Sequence, residues 1–135
     1  RFVSELTSKY DIFIATDVFE HVPDPIALTT ETAEYLQLDG QYLIANCFAP
    51  VVLCHLPQLF HFNMSWEAVM RAMGLEAGPK VGYGRVYQRQ CDLDEHNARK
   101  VAECGKRIYS LISRLPRAHV KIGSLLMRLF CKRLG

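Results

Sequence analysis

The sequence predicts an α/β fold built on a parallel sheet, and three observations carry that prediction. Ile12, Phe13, Ile14 and Ala15 form one short apolar run, Asp24-Pro25 opens a stretch with helical spacing, and a second apolar run spans residues 41–47. A short continuous apolar run suits a strand buried on both faces, as strands of parallel sheets are. A strand, a helix and a strand within about 35 residues make one βαβ unit with a right-handed crossover.

Each element has a local cause. The first run ends where the chain turns polar at Thr16-Asp17. Asp24 is an N-cap residue and Pro25 fits the first helical position, so a helix is predicted over 25–37, with Ile26, Thr30, Ala33 and Leu36 or Gln37 at helical spacing. Leu38-Asp39-Gly40 reads as the turn that ends it, with Gly40 as the permissive residue. A long connection rich in aromatics and histidine follows Phe48. Ser65 reads as the N-cap of a helix striped by Trp66, Val69, Met70 and Met73 and closed at Gly74. The paired glycines and alternating Tyr83, Arg85, Tyr87 and Arg89 read as a strand or hairpin along the sheet edge. Asp92 and Glu95 resemble a capping box, opening a helix with Val101, Cys104, Ile108, Leu111, Ile112 and Leu115 on one face. Pro116 breaks that pattern. A last helix over 118–134 carries Ile122, Leu125, Leu126, Leu129 and Phe130 on one side and Lys121, Arg128 and Lys132 on the other.

Composition narrows the class. The chain has 135 residues, half of them hydrophobic and 22% charged, which is globular rather than disordered. The net charge of +2 conceals a polarity: residues 1–98 hold six Lys/Arg against thirteen Asp/Glu, and residues 99–135 hold ten against one. That basic end either complements the acidic front of the same protein or meets an anionic partner. Five cysteines without a CxxC pair indicate neither a disulfide framework nor a zinc site, and a reducing, cytoplasmic compartment fits them. No apolar run reaches the length of a membrane span. An initial Arg1 in place of Met fits a fragment or a processed product.

Residues 10–77 carry a resemblance. DIFIATDVFEHVPDP followed by YLQLDGQYLIAN resembles the fourth strand, fourth helix and fifth strand of class I S-adenosylmethionine-dependent methyltransferases. Asp39-Gly40 stands where that family commonly has Gly-Gly, and HLPQLFHFNMSWEAVMRAMGLE is also similar to the family. The resemblance implies a partial Rossmann-like sheet, from the fourth strand onward, with C-terminal helices. Residues 1–91 would be the C-terminal part of a methyltransferase domain, and residues 92–135 a basic helical extension. It further implies S-adenosylmethionine as cofactor and methyl transfer to a small-molecule or glycan- or lipid-linked acceptor. The family's glycine-rich cofactor loop is not in the sequence: Gly82-Tyr83-Gly84 is followed by Arg85-Val86-Tyr87 and does not complete GxGxxG. The chain as given would then be inactive alone.

The same resemblance places Thr16 and Asp17 beside the cofactor. Ligand crevices of open α/β sheets lie outside such strand ends. Glu20 and His21 are the catalytic candidates, since methyl transfer needs an aligned nucleophile and a base, and a carboxylate beside an imidazole can orient it. The competing reading is structural, with Glu20 capping the following helix start and His21 packing under it. Asn46, His55 and His61 are the substrate-binding candidates, from the end of the second strand and the loop beyond it. Asp17, Glu20 and His21 also make an Asp-x-x-Glu-His set, similar to one that looks like a divalent-metal set in the ubiquinone-pathway O-methyltransferases. The same letters are common in methyltransferases without metal, and no metal is assigned. The C-terminal helices cap the domain, form an oligomer face, or rest on an anionic membrane surface. Nucleic acid is not expected as a partner. The alternative to an enzyme is a non-catalytic, degenerate methyltransferase module that binds a partner or membrane through these helices.

Overall fold

A computed structural model describes residues 6–113, 125–127 and 129. Its order is β1 (Tyr10–Thr16), a 3-10 turn (Phe19–His21), α1 (Pro25–Glu34), β2 (Leu36–Ala45), a second 3-10 turn (Pro57–Leu59), α2 (Phe62–Ala72), β3 (Leu75–Val81), β4 (Gly84–Arg89) and α3 (Glu95–Ile112). The fold is α/β. Four strands form one mixed sheet in the order β1-β2-β4-β3, with β1 and β2 parallel and β4 antiparallel to both its neighbours.

The βαβ unit forms as its local signals dictate. Asp24 Oδ1 accepts the Ala27 N–H at 3.0 Å, and Pro25 takes the first turn of α1. That satisfies one of the donors every helix start leaves open. Burial alone would raise the Asp24 carboxyl, but the Ala27 N–H and the Arg99 guanidinium outweigh it and hold it below its ordinary value. Arg99, on α3, reaches Asp24 Oδ2 at 2.8 Å. At the other end of α1, Arg89 Nη1 donates to the carbonyls of Ala33 at 3.1 Å and Leu36 at 2.9 Å. A cation on the last carbonyls of a helix interacts favourably with the negative end of its dipole.

Several expectations are corrected. The helix predicted to residue 37 ends at Glu34, and the strand predicted from 41 begins at Leu36. The Leu38-Asp39-Gly40 turn becomes an irregularity inside β2: Tyr10 pairs with Leu36, but Ile12 pairs already with Gln41. Asp39, at φ 64°, takes the left-handed position there, as a short polar side chain can. Gly40 serves close approach instead, because a Cβ on it would lie 2.8 Å from the Gln37 carbonyl oxygen and the Leu36 side chain. β1 is not buried on both faces. Ile12 and Ile14 are 60% and 66% exposed, since β1 is an edge strand among the described residues and no described element covers that face.

α2 begins at Phe62 rather than after Ser65. Ser65 is not a cap: its hydroxyl donates to the His61 carbonyl one turn back at 3.0 Å, and it is fully buried. Gly74 does stand past the helix end, at φ 100°, as the Gly cap requires. Residues 75–89 form the expected hairpin, turning at Gly82, but of its two strands β3 lies at a sheet edge while β4 pairs with β2. α3 is capped by Asp94, whose Oδ1 accepts the Asn97 N–H at 2.8 Å, and not by Asp92. Its buried face is Ala98, Val101, Ala102, Gly105 and Ile112, while Leu111 is 76% exposed. Small residues win here because α3 lies close on α2: a Cβ on Gly105 would sit 2.7 Å from Ser65.

The core runs from the sheet through α2 to α3. Phe48, Phe62 and Trp66 meet pairwise at ring centroid distances of 5.1–5.3 Å, and Phe19 joins Trp66 at 5.5 Å. Such aromatic contacts add to their burial. They fasten the turn after β1 and the loop after β2 to one helix. Of the last predicted helix, residues 125–127 and 129 are helical, with Met127 buried and Leu125, Leu126 and Leu129 exposed. Lys121, Ile122, Arg128, Phe130 and Lys132 lie outside the described residues. No helix among the described residues is long and apolar enough to cross a membrane.

Candidate functional site

The site is assembled at the carboxyl ends of β1 and β2. Parallel pairing aligns Thr16 with Ala45, so residues just after both strands emerge side by side. Asp17, at φ 53°, turns β1 sharply, with its N–H on the Ala45 carbonyl at 2.8 Å. Its exposed carboxylate accepts the Tyr83 hydroxyl at 2.8 Å. That hydrogen bond holds the Tyr83 phenol above its ordinary value. Tyr83 comes from the β3–β4 turn, which the strand order returns to the same end of the sheet.

Glu20 is 1% exposed, although it is a carboxylate. Its Oε1 accepts the Cys47 N–H at 2.9 Å, so it bridges to the end of β2 rather than capping the helix that follows. Its Oε2 is buried with no hydrogen-bond partner. His21 is exposed rather than packed under α1, and its Nδ1 lies 3.2 Å from the Cys54 carbonyl oxygen. His55 is buried, with Nδ1 2.7 Å from the Ala49 carbonyl oxygen. The two imidazoles meet at 5.1 Å between ring centroids. One ligand atom each from Glu20, His21 and His55 lie within 4.8 Å of one another.

The loop after β2 is fixed in place by backbone contacts. The Leu56 N–H donates to the Glu20 carbonyl at 3.1 Å, beside the His21 contact with Cys54. Segment 54–56 is therefore clamped onto residues 20 and 21. Asn46 sits just past β2 with both its amide nitrogen and oxygen buried and unpartnered. A broad cleft of about 1170 Å³ opens there, bordered by Asn46, Trp66, Tyr83, Arg71 and Arg85. Asn46 thus borders the cleft while its amide nitrogen and oxygen are buried without partners, which is unusual because buried polar groups generally find them.

The residues read from the sequence thus divide. Thr16, Asp17, Glu20, His21, Asn46 and His55 gather at one end of the sheet. His61 does not join them. Its Nδ1 lies 2.9 Å from the Gln58 carbonyl oxygen, its ring packs on Phe62 at 4.1 Å, and it faces α3. Burial pushes its imidazole below the ordinary value; the Gln58 carbonyl opposes this, Lys106 reinforces it and Glu103 opposes it. Asp17 leaves the Asp-x-x-Glu-His set for Tyr83, and His55 takes the third place. Sequence reasoning missed Tyr83, which lies 66 residues from its partner and carries no local signal.

Cys47, Cys54, Cys91 and Cys104 are thiols, not disulfides. The chain matches no family model, no curated protein and no solved structure.

Proposed function

We propose that the chain forms the acceptor-side part of an S-adenosylmethionine-dependent methyltransferase that acts on a small-molecule or glycan- or lipid-linked acceptor. The observation that carries this reading is the convergence of Asp17, Glu20, His21 and Asn46 at the carboxyl ends of two adjacent parallel strands. Open α/β sheets bind ligands at that place. Among the described residues β1 is an edge strand with Ile12 and Ile14 exposed on one face, which suits further elements packing on it. Four reduced thiols suit a cytoplasmic setting.

S-adenosylmethionine, when bound, supplies an electrophilic methyl on a sulfonium. In this reading Thr16 and the Asp17 carboxylate, at the end of β1, would border it, and Asn46, which lines the neighbouring cleft, would lie beside the acceptor. Glu20, His21 and His55 cluster at the same strand ends, where the Leu56 N–H on the Glu20 carbonyl holds the loop after β2, and in this reading they are the groups that would handle the acceptor's proton. An aligned acceptor and a nearby proton-handling group are what an in-line displacement demands of the protein.

Calorimetric titration of the natural protein with S-adenosylmethionine tests the reading. Binding is expected, weakened roughly tenfold by Asp17→Ala, in proportion to one lost hydrogen-bonded charge. Absence of heat with the natural protein overturns it. Exposed Leu125 and Leu129 favour a second reading, a non-catalytic module that docks on a partner or membrane. Vesicle binding without cofactor binding would be its signature.

A further inference from the structure

The geometry points to a divalent transition-metal site made by Glu20, His21 and His55. The inference stands on the packing of these three residues and holds whether or not the chain transfers methyl groups. Three independent observations meet. First, one ligand atom from each residue lies within 4.8 Å of the others, although His55 comes from a loop 34 residues downstream of His21. Second, Glu20 Oε2 is buried without a partner while Oε1 is held by the Cys47 N–H, which leaves one carboxylate oxygen for an ion. A buried oxygen without a partner is costly, and a bound cation would satisfy it. Third, both imidazoles have Nδ1 on a backbone carbonyl, Cys54 for His21 and Ala49 for His55. That arrangement places the proton on Nδ1 and leaves each Nε2 with its lone pair. Metal-binding histidines show the same second contact, which fixes tautomer and ring direction.

The dimensions agree. Imidazoles sharing an ion through bonds of about 2.1 Å have ring centres roughly 5 Å apart, and these rings are 5.1 Å apart. Bound ligand atoms stand about 3.4 Å apart in a tetrahedral site, against the 4.8 Å within which the three ligand atoms already lie here. Two nitrogens and one oxygen suit zinc, cobalt, iron or manganese, whereas magnesium takes oxygens. Three protein ligands leave positions open, and exposed His21 opens the site to solvent. An ion held there would bind and acidify a hydroxyl-bearing ligand. Under the methyl-transfer reading that ligand is an oxygen acceptor, and Glu20, His21 and His55 then hold the ion rather than take the proton.

The test is titration of metal-stripped protein with cobalt(II), followed by its visible absorption, and with zinc(II) by calorimetry. One ion per chain is expected, with a spectrum of nitrogen and oxygen coordination and no thiolate charge-transfer band. His21→Ala, which alters an exposed side chain, and Glu20→Gln should each weaken binding about tenfold or more, a ligand counting at least as much as its supporting contacts. His61→Ala and His96→Ala should leave it unchanged. Wild-type affinity in either the His21→Ala or the Glu20→Gln protein, a thiolate band, or no binding by wild type would each overturn the assignment. Failure here leaves cofactor binding intact, and loss of S-adenosylmethionine binding alone leaves the metal site intact.

Discussion

Glu20 Oε1 accepts the Cys47 N–H at 2.9 Å and so joins the turn after β1 to the first residues beyond β2. The contact crosses 27 positions of sequence and closes the end of the parallel pair on which the candidate site stands. Glu20→Ala removes the acceptor and leaves the Cys47 N–H unpaired, at a cost of about 1–3 kcal/mol. Glu20→Gln keeps an oxygen for that N–H and should lose less than half as much. Urea denaturation of the two variants measures the difference, and equal losses would show that the bond does not matter.

Gly105 lets α3 approach Ser65 more closely than any other residue would. An alanine in mid-helix normally adds about 1 kcal/mol over glycine. Here its Cβ would stand 2.7 Å from the Ser65 Cβ, and overpacking should reverse the sign, costing about 1–3 kcal/mol. Ser65→Gly in the same chain should restore much of the loss. A double-mutant cycle read by thermal melting separates this contact from general helix effects.

Asp24 acts on two elements at once, capping α1 and pairing with Arg99 of α3. Asp24→Ala should cost about 1–2 kcal/mol, most of it the cap, while Arg99→Ala should cost only a few tenths, because the ion pair is half exposed. The folded carboxyl titrates below 3.8, so its contribution is full above that value and is lost as pH falls through the lower, folded one. Acid denaturation of wild type and Asp24→Asn should converge at the acid end.

His61 gives the opposite group a comparable signature. Its imidazole is held below the ordinary 6.5 by burial, and Lys106 and Glu103 face it from α3 while Asp24 and Arg99 border the same hollow. Below 6.5 the unfolded chain binds a proton that the folded chain refuses, so stability falls with pH until the folded value is reached. Denaturant midpoints at pH about 7.5 and about 5.5, on either side of the free imidazole value, should differ less in His61→Gln than in wild type. An unchanged difference would mean that His61 binds its proton equally well in the folded and unfolded chain.

Local chemistry accounts for what was legible. Asp24 and Pro25 announced α1 because a cap acts over three residues, and Gly74 announced the end of α2 because its backbone is left-handed. Ser65 misled for the same reason: a hydroxyl can serve a helix start or the carbonyl one turn back, and burial against Gly105 chose the second. Leu111 misled because large apolar residues were expected to mark the face of α3. Close helix approach selected Ala98, Ala102 and Gly105 instead.

By itself the sequence determined the alternation of elements and the parallel β1–β2 pair, since apolar runs, caps and turns act between near neighbours. It also contained the residues that gather at the strand ends. Only the tertiary structure decided their partnerships. It gave Asp17 to Tyr83, joined His55 to Glu20 and His21, and sent His61 to α3. Those outcomes depend on strand order and on a loop returning over the sheet, and contacts between distant segments leave no periodicity to read.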